Sequence, residues 1–288
     1  MDLLVAVILG LIQGLTEFIP ISSTAHLTIF GELFGTVDHA HPEQWTAFIA
    51  IIQLGTLFSV LWYFRREIYE IPAAFFRENL GRNRLAFSRQ SLNSRLGWFV
   101  IVGSLPIMTI GLALKKIIEG DFTKSLTVIA ISLIALALIL LLAEKIAKLR
   151  KSETDLTFWD ALVVGLAQCV ALIPGSSRSG TTITAGLFLG MKRATAARFS
   201  FLLSIPAIFA SGLLQFYQAL SFVSASEWLN ILVATLVSAI SGYFAIDFLI
   251  KYLKQHTTHI FIYYRIIIGI ALLIFIYAKS LLIFIYAK

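Results

Sequence analysis

Two short stretches decide how this chain folds: residues 20–26, with the sequence PISSTAH, and residues 174–180, with the sequence PGSSRSG. Each interrupts an apolar segment, at 3–35 and at 160–190, with proline, hydroxyl side chains and a basic group. The apolar runs on either side hold about 10–14 residues, too few to cross a bilayer, and they suit the half-helices of a re-entrant hairpin. The sequence therefore predicts two re-entrant helical hairpins.

The composition around these stretches is typical of a membrane protein. Of 288 residues, 58% are hydrophobic and 14% are charged, whereas a typical soluble domain has about 25% charged residues. A soluble globule of this size would expose too much apolar surface, and a disordered or fibrous chain is excluded. The single cysteine, Cys169, excludes a disulfide framework, a cysteine-based zinc site and an iron–sulfur cluster.

Six further apolar runs have the length of a membrane-spanning helix. Each holds roughly 17–22 residues, close to the ~20 that cross a hydrocarbon core. The runs lie at about 47–64, 98–114, 126–143, 199–219, 229–250 and 260–278. The predicted fold class is all-α: a polytopic integral membrane protein with six transmembrane helices and two re-entrant hairpins.

The basic residues predict an orientation. Of the 23 lysines and arginines, 16 lie in four loops, at 65–97 (which includes Arg82), 144–159, 191–198 and 251–259. By the positive-inside rule these loops face the cytoplasm, so both termini face outwards. The net charge of +7 therefore reflects topology, and no nucleic-acid partner is expected.

An internal repeat relates the two halves of the chain. GLIQ at 10–13 resembles GLAQ at 165–168, and the P-x-S-S pattern at 20–23 matches 174–177 after a one-residue gap. Each half then holds one hairpin and three spans, and because three is odd the second half is inverted. Such repeats place a polar site near the midplane, where their breaks meet. The alternative is two independent kinks satisfied by neighbouring hydroxyls.

These repeats form one predicted membrane domain over residues 1–279, with repeat 1 at about 1–145 and repeat 2 at about 158–279. The octapeptide LLIFIYAK that ends at residue 279 recurs at the end of the chain. Eight identical residues in tandem are typical of a terminal duplication or artefact rather than of a fold element. Residues 280–288 are therefore set aside.

The first break carries an acid, hydroxyls and a histidine. Gln13 and Glu17 share one helix face at i, i+4, and a carboxylate within an apolar run is costly enough to suggest a functional site. A structural hydrogen bond is the alternative. His26 follows the hydroxyl cluster after Pro20, where Ser22 or Ser23 could instead be a helix N-cap.

The second break has the composition of an anion cradle. Hydroxyls surround Arg178 ahead of a new half-helix, whose free N–H groups and positive end attract anions. The guanidinium fork matches phosphate oxygens, and Gly175 and Gly180 let the backbone approach closely. The stretch lacks the Gly-Lys-Ser/Thr end of an ATP-binding Walker A loop. A purely structural pairing of Arg178 with Glu17 is the alternative.

Together these motifs resemble the undecaprenyl-diphosphatase (bacitracin resistance) family, and the resemblance covers about residues 3–278. It implies a membrane phosphatase that hydrolyses undecaprenyl pyrophosphate to undecaprenyl phosphate and inorganic phosphate. That activity would recycle the carrier lipid for peptidoglycan synthesis and confer bacitracin resistance. The resemblance also implies a place in the bacterial inner membrane, a site open to the outer face, and a divalent cation, Mg²⁺ or Ca²⁺.

The same resemblance implies roles for individual residues. The catalytic positions fall on Glu17, Ser23, His26 and Arg178, with Glu17 also the candidate metal ligand. The candidate phosphate-binding residues are Gln13, Ser22, Thr24, Ser176, Ser177, Ser179, Gly180 and Thr182. The family's first motif is (Glu/Gln)-x-x-x-Glu, so Gln13 fits it, but a site with two carboxylates is not available there. The attacking group stays open between Ser23, His26 and water.

Two other functions fit parts of the pattern. Inverted repeats, broken helices and a midplane arginine also describe a secondary transporter for an anionic substrate. A binding or bacitracin-sequestering protein is a third alternative, for which no extended outer domain is present. A homodimer is also open.

Some polar residues lie in apolar runs outside the two breaks. Gln53 and Gln168 either line the site or hydrogen-bond across helices. We expect Asp247 to pair with Arg265.

Overall fold

The computed structural model describes residues 2–80 and 84–286, and in these it contains twelve α-helices and no β-strand. The helices are α1 (Leu3–Glu17), α2 (Ser23–Leu33), α3 (Pro42–Tyr63), α4 (Arg65–Asn79), α5 (Leu92–Ala113), α6 (Lys115–Glu119), α7 (Leu126–Ile146), α8 (Phe158–Cys169), α9 (Arg178–Phe188), α10 (Arg193–Ala219), α11 (Ala225–Leu253) and α12 (His259–Tyr286). Arg82 of the first basic loop lies outside the described residues. Helix α12 includes most of the duplicated tail, and only residues 287–288 of that tail lie outside the described residues.

Six of these helices, α3, α5, α7, α10, α11 and α12, are long and apolar enough to cross a membrane. They coincide with the six predicted runs, so the prediction of an all-α, multi-pass membrane protein is confirmed. Helices α1 and α8 have 15 and 12 residues, or about 22 and 18 Å. Both are shorter than the ~30 Å hydrocarbon core. They precede the two breaks, and α2 and α9 follow them.

The segment at 65–97 contains one helix that hydropathy did not predict. Helix α4 is amphipathic: Ile71 and Ala74 are buried, whereas Arg65 and Arg66 are exposed. We interpreted this segment only as a connecting loop because its basic residues lower the average hydropathy. The helix begins directly after α3 and carries both basic and acidic side chains on its exposed face.

Ion pairs connect three of the four basic loops. Arg193 pairs with Glu144, which also accepts a 2.8 Å hydrogen bond from Thr258 Oγ1. Arg198 contacts both Glu67 and Glu153, at 2.6 and 3.0 Å. The basic loops therefore lie together at one end of the helix bundle.

Glycines allow two of the short helices to approach long ones closely. A β-carbon at Gly10 of α1 would overlap the backbone of Ala234 in α11. A β-carbon at Gly165 of α8 would likewise overlap the backbone of Gly103 in α5. The similar motifs GLIQ and GLAQ thus make the same kind of contact, each with a different long helix.

Candidate active site

Helices α2 and α9 begin with the same local structure. Ser22 and Ser177 are the N-caps, with positive φ angles of 75° and 68°. Ser22 Oγ accepts a hydrogen bond from the Ala25 N–H at 3.3 Å, and Ser177 Oγ accepts one from the Gly180 N–H at 3.1 Å. The two serines are 155 residues apart, as are the two glutamines of the GLIQ and GLAQ motifs. The N-caps therefore align with the glutamines without a gap, whereas Pro20 and Pro174, 154 residues apart, still align only with the predicted one-residue gap.

The Glu17 carboxylate lies where these two helices begin. One oxygen, Oε2, accepts hydrogen bonds from Gln13 Nε2 at 2.9 Å and from Ser23 Oγ at 2.6 Å. The other, Oε1, lies 3.1 Å from Nη2 of Arg178. Ser23 and Arg178 are the first residues of α2 and α9, so two helix N-termini, each with a partial positive charge, face one buried carboxylate.

A cavity of about 330 Å³ adjoins this cluster. Six of the predicted site residues line it: Glu17, Ser22, Ser23, Thr24, Ser177 and Arg178. The apolar part of the wall comes from the second halves of α5 and α10, including Ile107, Met108, Leu112, Ala207 and Leu214. The cavity therefore has a polar end at the two breaks and an apolar flank.

The other predicted phosphate-binding residues are placed away from this cavity wall. The Gln13 amide supports Glu17, and Ser176 Oγ donates to the Ile173 carbonyl oxygen at 2.5 Å. Ser179 Oγ donates to the Ile19 carbonyl oxygen at 3.2 Å, and Thr182 Oγ1 to that of Arg178 at 2.7 Å. The Gly180 N–H already donates to the N-cap oxygen, Ser177 Oγ. In this geometry these groups support the break, and direct phosphate contact by them stays a prediction.

His26 is not among the described residues that line the cavity. Its Nδ1 lies 2.7 Å from the carbonyl oxygen of Ser22, and its Nε2 lies 2.7 Å from the Tyr264 hydroxyl. The two rings stack with centroids 5.5 Å apart. Both ring nitrogens therefore have partners, and His26 connects the first break to α12. Sequence reasoning missed Tyr264, because an uncharged tyrosine in an apolar run carries no signal of its own.

The partner of Arg265 also differs from the one that the sequence predicts. Asp247 pairs with Lys251 at 2.7 Å and accepts a 3.3 Å hydrogen bond from Tyr63, so the predicted pair of Asp247 with Arg265 is wrong. Asp247 and Arg265 lie on different helices, and Arg265 is buried within the bundle, with 1% of its surface exposed. Its charge is instead stabilised by backbone carbonyl oxygens.

The Arg265 guanidinium holds both breaks. Its Nη1 donates to the Pro20 carbonyl oxygen at 3.4 Å, and its Nη2 donates to those of Gly175 and Ser176 at 3.3 and 3.0 Å. Glycine is required nearby, because a β-carbon at Gly180 would lie 2.7 Å from Nη1. Gly175 itself has a φ of +84°, a backbone conformation that residues other than glycine rarely adopt.

Comparison with known proteins identifies the family of this chain. A sequence model described as bacitracin resistance protein BacA matches residues 6–271. The chain belongs to the BacA family. The match extends through both breaks and the first five spans and ends within the sixth span, in α12.

Named relatives of this BacA-family chain are similar along almost their whole length. It is 56% identical to an undecaprenyl-diphosphatase of Syntrophobacter fumaroxidans, over 95% of this chain and 97% of the relative. It is 50% identical to one of Chloroherpeton thalassium, over 95% and 96%. It is 48% identical to one of Myxococcus xanthus, over 98% and 91%.

The BacA-family site can be tested for its fit to a divalent cation. The described part of the chain contains no cluster of three or more His, Cys, Asp or Glu side chains. Glu17 is the one carboxylate among the described residues of the cavity wall. Mg²⁺ is commonly held by one or two carboxylates together with substrate phosphates. The donor set therefore fits a cation that arrives with a phosphate ligand.

Proposed function

We propose that this chain hydrolyses undecaprenyl diphosphate to undecaprenyl phosphate and inorganic phosphate. The observation that carries the proposal is the cluster of Ser23, Glu17 and Arg178 on the cavity wall, in a chain whose relatives are named for this activity. The reaction returns a carrier lipid to peptidoglycan synthesis. A role in bacitracin resistance is implied by the name of the family.

The cavity suits both ends of such a substrate. The diphosphate would lie at the polar end, where Arg178 and the N-termini of α2 and α9 attract anions. The prenyl chain would follow the apolar wall that α5 and α10 provide. Burying methylene groups against this wall supplies binding energy without further polar contacts.

Ser23 is our choice as the attacking group. Its hydroxyl already donates to Glu17 Oε2 at 2.6 Å, so its proton can pass to the carboxylate as Oγ attacks the terminal phosphorus. The bond from that phosphorus to the bridging oxygen breaks, and undecaprenyl phosphate leaves. Water then attacks the phosphorus of the phosphoserine, the bond from phosphorus to Ser23 Oγ breaks, and Oγ takes back the proton held by Glu17. Inorganic phosphate leaves as dihydrogen phosphate, with both protons of the water.

Two charged groups stabilise this reaction. Arg178 offsets the negative charge that spreads over the phosphoryl oxygens in the transition state. A bound Mg²⁺ or Ca²⁺ would add to this stabilisation, with Glu17 as a protein ligand. Because both nitrogens of His26 have partners, we assign it a positioning role rather than that of base.

The topology that we propose has two re-entrant hairpins, α1–α2 and α8–α9, in halves of opposite orientation. Three observations support it: the matching N-caps, the constant separation of 155 residues, and the paired glycine contacts of α1 with α11 and of α8 with α5. The clustered basic loops would face the cytoplasm of a bacterial cell, and the site would open outwards. A homodimer stays a prediction.

Phosphate release by the purified protein tests the function. In detergent, with undecaprenyl or farnesyl diphosphate, Glu17→Gln, Ser23→Ala and Arg178→Ala should each lower the rate by about 100-fold or more. Chelation by EDTA should abolish activity, and added Mg²⁺ or Ca²⁺ should restore it. A matched control is Ser221→Ala, an exposed hydroxyl between α10 and α11.

Failure would take two distinct forms. If the wild-type protein releases no phosphate under any cation condition, the transporter alternative replaces the phosphatase. If phosphate is released but Ser23→Ala retains near-full activity and no phosphoserine is trapped by rapid acid quench, water rather than Ser23 is the nucleophile.

A further inference from the structure

Gln168, in the last turn of α8, is a buried amide without a protein partner. It is 0% exposed and lines the same cavity as Glu17 and Arg178. Neither Nε2 nor Oε1 has a hydrogen-bond partner among the described residues. Buried polar side chains nearly always have partners, so this one requires an explanation.

Comparison with Gln13 shows what Gln168 lacks. The two glutamines hold corresponding places in GLIQ and GLAQ, seven and six residues before the prolines that open the two breaks. Gln13 donates to Glu17, four residues later, at 2.9 Å. The residue four places after Gln168 is Leu172, which offers no acceptor. The amide in the second half therefore cannot serve to support a carboxylate on its own helix.

A second unpartnered donor belongs to the same cavity. Arg178 contacts Glu17 through Nη2, but its Nη1 is buried and has no hydrogen-bond partner within the described part of the chain. Both groups flank the break between α8 and α9. An amide N–H₂ and a guanidinium N–H can both donate to a phosphate oxygen, and the guanidinium bond is strengthened by its charge.

We propose that Gln168, together with Nη1 of Arg178, binds a phosphate oxygen of the diphosphate substrate. The inference rests on the proposed phosphatase function and adds a binding residue to it. The two halves of the site then have different tasks. The α1–α2 break carries the nucleophile and its carboxylate, and the α8–α9 break holds the phosphate under attack.

Gln168→Leu tests the proposal, because leucine keeps the size and removes the amide. The probe is the non-hydrolysable farnesyl methylenediphosphonate, with its Kd measured beside KM and kcat for farnesyl diphosphate. Loss of a hydrogen bond to a charged group should raise Kd and KM about 10- to 100-fold. We expect kcat to change less than about threefold, because the contact is made before the chemical step. The melting temperature should not fall, because no protein hydrogen bond is lost.

Ser104→Ala is the matched control. Among the residues that the structure describes, its hydroxyl is also buried without a hydrogen-bond partner, but Ser104 is not one of those that line the cavity. This variant should leave Kd and KM unchanged.

Two results would overturn the proposal: a loss confined to kcat, or an unchanged Kd in Gln168→Leu, whether the melting temperature stays the same or falls. A lower melting temperature with unchanged Kd is expected if Gln168 hydrogen-bonds across helices. The Kd of the diphosphonate needs no turnover. A wild-type protein that binds it but releases no phosphate would refute the phosphatase alone, and the Gln168 contact would still be tested.

Discussion

At the scale of single residues, the hydrogen bonds of His26 define its protonation. The Ser22 carbonyl oxygen can only accept, so Nδ1 must carry the proton that bridges their 2.7 Å separation. In the neutral ring Nε2 is then an acceptor, and the Tyr264 hydroxyl donates to it at 2.7 Å. This tautomer follows from the network of partners. It suits a residue that holds the Ser22 cap in its positive-φ conformation.

Tyr264→Phe tests this positioning role. The change leaves Nε2 of His26 without its donor, which costs about 1 kcal/mol, and we expect the enzyme to keep at least about a tenth of its activity. The double variant with His26→Ala should be no worse than His26→Ala alone, because both act through one hydrogen bond. Additive losses in phosphate release would contradict the coupling.

At the scale of secondary-structure elements, helix α12 holds the two breaks together through Arg265. The sequence could locate both breaks, because proline and clustered hydroxyls interrupt apolar runs. It could not identify this contact, because the acceptors are backbone carbonyl oxygens of residues far apart in the chain. An arginine within an apolar run predicts a carboxylate partner, and Asp247 is an acidic residue in the preceding apolar run. Which side chains pair within the bundle depends on how the helices pack against one another.

Arg265→Met should loosen both breaks at once. The substitution leaves carbonyl oxygens of residues 20, 175 and 176 without their donor, and a single unsatisfied buried acceptor costs about 1–3 kcal/mol. We expect a lower melting temperature in detergent and a loss of activity of at least about tenfold.

Asp247→Asn is the control for Arg265→Met. Its exposed pair with Lys251, at i, i+4, is screened by solvent and contributes little to stability. If the two variants destabilised the protein equally, Arg265 would depend on Asp247 after all.

At the scale of the whole molecule, hydropathy alone located all six spans. A run of about 20 apolar residues has one stable solution in a bilayer, a helix that satisfies its own backbone. Helix α4 was missed because its apolar stripe is only one face of a basic segment. The active-site cluster was predicted in part: Glu17, Ser23 and Arg178 meet, but the partners of His26 and Arg265 required the three-dimensional packing.

Cysteine labelling tests the proposed topology. In a Cys169→Ala background, a membrane-impermeant thiol reagent applied to intact spheroplasts should label Asp2→Cys and Ala40→Cys, on either side of the α1–α2 hairpin. It should not label Gln255→Cys, beside the basic loops, until the membrane is permeabilised. Opposite accessibility of positions 2 and 40 would mean that this segment crosses the membrane once. Labelling of position 255 alone would reverse the orientation.

The constant separation of 155 residues has a consequence for how this protein could have arisen. At matching positions the first half carries Glu17 and Ser23, and the second half carries Leu172 and Arg178. An ancestor assembled from two identical first halves would have set two carboxylates against each other without an arginine. One assembled from two second halves would have had two arginines and no acid. In the proposed inverted repeat, therefore, neither half alone supplies both the carboxylate and the arginine, and the site is complete only when the two different halves meet.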